Sequence, residues 1–132
     1  MSFRDAAVAM LLTNALWDFV AGAAIVLYMR FGCLRPMAET HTALWAKAED
    51  QTNAAAMGLM SVLLFQWSFT RGFAAMEFDA HWPDAAYSYW IEGALIGACT
   101  LSGTMQLGKG VAVVFLCFCC WELVVMAGMG QI

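Results

Sequence analysis

Four long apolar stretches, separated by polar breaks, set the pattern of this chain. They cover positions 6–31, 54–70, 85–107 and 111–130. A helix that crosses a bilayer needs about 20 mostly apolar residues. The pattern therefore predicts an all-α integral membrane protein, an antiparallel bundle of four transmembrane helices forming a single membrane domain over residues 1–132. Only Gly108-Lys109-Gly110 links the last two stretches, so those helices should form a hairpin. The first stretch runs on past Asp18 to Phe31 with no small-residue cleavage pattern. It reads as a retained helix rather than a signal peptide.

The breaks carry their own signals. Within 32–53, the segment 36–50 reads as a short interfacial helix between the first two spans. Pro36 suits a first helical position. Leu44, Trp45 and Ala48 give it a narrow apolar face that can lie in the membrane surface. Residues 71–84 read as an aromatic loop lying along the bilayer, with Asp84 as N-cap of the third span. Four spans return the C-terminus to the side of the N-terminus. The opposite side carries Arg30, Arg35, Lys47 and Lys109, against Arg4 and Arg71 on the terminal side. The positive-inside rule then places both termini on the non-cytoplasmic, lumenal or intermembrane side.

Composition sharpens the class. Hydrophobic residues make up 63% and charged residues 12% of the 132. A soluble domain carries about 25% charge, so lipid is the expected surroundings. The net charge of -4 offers no basic surface for nucleic acid.

The informative positions are polar groups inside the apolar stretches: Asp18, Glu92 and Glu122, with Arg71 closing the second stretch. Each helical residue rises about 1.5 Å, which puts all four in the same half of the bilayer. An ionised residue at the bilayer centre costs about 2.5–3.5 kcal/mol on insertion scales. Scattered acids facing lipid would be hard to support, whereas acids turned towards one arginine compensate one another. The expectation is an interior network of Arg71 with Glu92 and Glu122 and with Asp18 deeper, structural or functional in role. Asn14, one turn from Asp18, is placed to hydrogen-bond it. Small neighbours such as Ala15, Ala21 and Gly22 suit close helix contact around Asp18. Gly93 and Gly97, followed by Thr100 and Thr104, make a contact ridge on the third span. Glu122 shares a bulkier face with Phe118, Cys119, Val125 and Met126, which suits a partner subunit equally well.

Cys117 and Cys120 form a CxxC on a helix, a candidate redox pair, with inert packing thiols as the plainer reading. His41 and His81 fall outside the stretches, which disfavours haem, whose axial ligands sit inside a bundle. A chlorophyll-type pigment is chemically compatible, because hard magnesium accepts a carboxylate such as Glu92 or Glu122. Bound lipid is expected. No metal-ligand spacing, phosphate loop or nucleophile motif is present, so no catalytic residue is assigned and an enzyme is not the leading expectation. The leading expectation is a small subunit with a structural or accessory role among other membrane subunits, in a respiratory or photosynthetic complex for example. The alternatives are a proton- or ion-coupled transporter or channel using intramembrane carboxylates, and a membrane enzyme acting on a lipid or quinone.

Overall fold

The computed structural model describes residues 1–47, 49 and 53–130. Among them the protein is all-helical. The elements are α1 (Phe3–Phe31), α2 (Arg35–Thr42), α3 (Ala54–Met76), α4 (Phe78–Leu101) and α5 (Leu107–Gly128). Two of these, α1 and α5, are long and apolar enough to cross a membrane.

Local chemistry sets the helix ends. Ser2 caps α1 through a capping box with Asp5, each side chain bonding the other residue's backbone N–H. Gly32 stops α1 in the left-handed region at φ 71°, where a side chain would be strained. Pro36 stands in the first turn of α2. Asn53 caps α3 by accepting from the N–H groups of Ala55 and Ala56.

Three of the predicted breaks differ from the chain's course. The predicted aromatic loop at 71–84 is almost wholly helical. α3 runs on to Met76, Glu77 is the single intervening residue, and α4 starts at Phe78. Asp84 therefore lies inside α4 and pairs with His81 at 3.3 Å instead of capping a helix. Pro83 is tolerated in the second turn of α4, close to where helical N–H groups lack partners in any case. The hairpin turn is not Gly108–Gly110, which sits inside α5, but residues 102–106. Gly103, at φ 78°, makes that turn. The glycine at 110 answers a packing need: Thr100 fills the space its side chain would take. The short helix ends at Thr42 instead of reaching 50, and Ala48 and Asp50 of the predicted segment lie outside the described residues.

The long helices pack in a closed ring, α1 on α3, α3 on α4, α4 on α5 and α5 on α1. The Gly93–Gly97 ridge faces α5, with Cys117 and Val114 against it. α2 folds back against α1, where Ala38 is fully buried. After α2 the chain bonds to the α4–α5 turn. Ala46 N–H donates to Thr104 O at 2.9 Å, and Gln106 N–H donates to Leu44 O at 2.7 Å. Two apolar cores result. One gathers Ala7, Leu11, Phe78, Tyr89 and Val124 near the termini. The other gathers Ile25, Ala38, Met60, Leu64 and Ile96 at the opposite end. A polar layer separates them.

Candidate functional site

Arg71 is the centre of that layer. It is only 2% exposed, on the inward side of α3. Its Nη1 donates to Asp18 Oδ2 of α1 at 2.8 Å, and its Nη2 donates to Glu92 of α4. Its Nε donates to Ser88 Oγ at 3.2 Å. The guanidinium lies 3.9 Å from the centroid of the Tyr89 ring, a close cation–π contact. Three helices are thus joined through one side chain. Planar guanidinium suits this, because its donors diverge in a fixed fork. Ser68 adds a further cross-helix bond, donating to Ala15 O at 2.7 Å.

Asn14 takes a different partner from the one its spacing suggests. Its amide donates to the Tyr89 hydroxyl at 2.6 Å and contacts Cys120 Sγ at 3.9 Å. Asn14 thereby supports the ring that holds Arg71, rather than bonding Asp18. Glu122 is not in the network. It is exposed on α5 and makes no hydrogen bond or ion pair among the described residues.

A pocket of about 310 Å³ opens beside the ion pairs, with contributions from all five helices. Asp18, Arg71, Glu92 and Tyr89 form its polar wall, and Trp17, Val113 and Leu116 form its apolar side. Cys117 and Cys120 also line it as free thiols, both buried.

His41 is the residue that sequence reasoning placed elsewhere. Because α2 folds back, its ring packs on Trp17, centroid to centroid at 5.3 Å, and borders the pocket. Its Nε2 is buried and has no hydrogen-bond partner among the described residues. Burial pushes the imidazole below its ordinary value, opposed by the charge of Glu92, which favours the neutral ring. No sequence signal pointed there: Leu34, a non-glycine residue at φ 57°, precedes α2 and redirects it, and nothing in the sequence marks that conformation.

Among the described residues no group of three His, Cys, Asp or Glu side chains is gathered to hold a metal ion. The donors at the pocket are instead a cation shared by two acids, a phenol, an amide and an imidazole. Such a set can bind a proton, or a small polar group, away from water. No family model, curated protein or solved structure matches the chain.

Proposed function

We propose that this is a four-span membrane protein that binds and passes a proton, or a monovalent cation, at the layer of Asp18, Arg71 and Glu92. One observation carries the reading: a single buried guanidinium is shared by two carboxylates beside a pocket. The formal charges sum to minus one. A structural clamp needs only one acid for one arginine. In hydrocarbon the second acid is costly unless something neutralises it, and a proton is the smallest group that can. His41, Tyr89 and the Cys117 and Cys120 thiols face the same pocket and complete its titratable set.

The lengths support spanning. α3 has 23 residues and α4 has 24, which at about 1.5 Å per residue match a hydrocarbon core of about 30 Å. Arg71 is buried and does not count as a loop charge. That strengthens the placement of Arg30, Arg35, Lys47 and Lys109 on the cytoplasmic side.

Liposomes test the reading. With purified protein and a pH-sensitive dye inside, the wild type should dissipate an imposed pH gradient. Glu92→Gln keeps a neutral one-to-one pair of Arg71 with Asp18, and so keeps the fold. Its flux should drop to that of empty liposomes, and Asp18→Asn should do the same. Wild-type flux no faster than empty liposomes, or full flux in Glu92→Gln, would defeat the proposal.

A second reading rests on Glu122. It lies six residues before the end of α5, about 9 Å along the axis, and it is exposed among apolar side chains. A donor from a neighbouring subunit would compensate it. This favours an accessory subunit of a larger membrane assembly. Mild detergent extraction followed by native mass measurement should then show partner chains, and Glu122→Leu should release them. A mass that corresponds only to copies of this chain would remove this reading.

A further inference from the structure

We propose that the pocket beneath α2 binds a small organic monocation, an amine carrying one apolar arm. The inference rests on the charge count of the preceding section and goes further by naming the occupant.

Charge excludes one class first. The walls carry one excess negative charge, so an anion would add to it. A neutral ligand would leave the site to find a proton elsewhere. A monocation closes the balance by itself. Hydrogen bonding points the same way. Asp18 Oδ2 is used by Arg71, but Oδ1 has no partner among the described residues. His41 Nε2 is buried without a partner among the described residues, and a neutral imidazole can accept there. An ammonium group offers up to three donors and no acceptor, which suits two vacant acceptors. The Trp17 ring beside His41 can cover a cation with its π face.

Size and access fit as well. A cavity of about 150 Å³ is enough to hold benzene, and this one measures about 310 Å³. Its apolar side is formed by Trp17 and Leu116, which are 55% and 61% exposed. The mouth therefore lies on the outer surface between α1 and α5. A ligand would enter from the lipid, where an amine with an apolar arm concentrates.

Three matched probes test this with the full chain in detergent or nanodiscs: benzylamine, benzyl alcohol and benzoate at pH 7. Benzylamine should raise the unfolding midpoint saturably and bind about ten- to hundredfold tighter than benzyl alcohol, the range a hydrogen bond to a charged group provides. Benzoate should give no saturable shift. Leu116→Trp fills the mouth without touching the ion pairs. It should unfold like the wild type and lose the benzylamine response. Asp18→Asn should lose it too. Equal binding of the alcohol, preference for benzoate, no saturable response to benzylamine, or an unchanged response in Leu116→Trp would each overturn the proposal. The liposome proton flux is measured without amine. Flux that persists while the amine fails removes only the occupant; selective amine binding without flux removes only the proton pathway.

Discussion

Arg71→Met will destabilise the protein by at least about 3–5 kcal/mol, the cost of removing one partner from a buried ion pair. The loss leaves Asp18 and Glu92 without their shared cation, inside the bundle and close to one another. Two unpaired carboxylates cannot both stay ionised there. Unfolding of purified protein in mixed micelles, followed by circular dichroism, measures the effect. Combining Arg71→Met with Asp18→Asn and Glu92→Gln should recover most of the loss, because a buried ionic set can be exchanged for neutral groups at little net cost. If the single variant unfolds like the wild type, the three groups do not share a buried site.

Tyr89→Ala should cost about 3–5 kcal/mol, as removal of a buried aromatic ring does. The ring is 2% exposed and stands between the Arg71 guanidinium and the Asn14 amide. Its removal takes away packing, the cation–π contact and the only oxygen that accepts from Asn14 among the described residues, in one step. Tyr89→Phe separates these contributions. It keeps the ring over Arg71 but leaves Asn14 facing a C–H, and should cost about 1–3 kcal/mol. A Tyr89→Phe loss as large as that of Tyr89→Ala would show that the ring itself contributes little.

Depth along a helix is legible in this sequence, while rotation about it is not. Counting residues from the helix ends places Asp18, Arg71, Glu92 and Glu122 at related levels. The first three meet. Glu122 does not, because on α5 the buried positions include Cys120 and Val124. A residue two places from either lies about 200° around the helix axis, and so turns outward. Small residues around Asp18 were a usable signal for its inward side, since Ala15 and Gly22 pack against α3. The bulky neighbours of Glu122 carried the opposite signal.

The connections were harder to read. The breaks expected at Gly108–Gly110 and over residues 71–84 are helical, apart from Glu77 in the second. Tertiary packing accounts for the first: a glycine at 110 admits Thr100. The return of α2 towards the middle of α1 depends on Leu34, left-handed without being a glycine, and on bonds to a turn some 60 residues later. Local patterns contain neither. That is why His41, expected outside the spans, borders the pocket.

The ring of helices also has a seam. α1 with α3, and α4 with α5, make the most extensive contacts, and Glu77 is the only non-helical residue between α3 and α4. Arg71–Asp18 is a bond within the first pair of helices, whereas Arg71–Glu92 reaches across to the second. The bonds from residues 44–46 to the α4–α5 turn fasten the segment after α2 to that second pair. Glu92 is therefore a latch on a two-leaved body. Taking its charge away loosens that fastening, while the bonds of Arg71 to Ser88 and of Asn14 to Tyr89 keep the leaves together and the arginine stays held by its own.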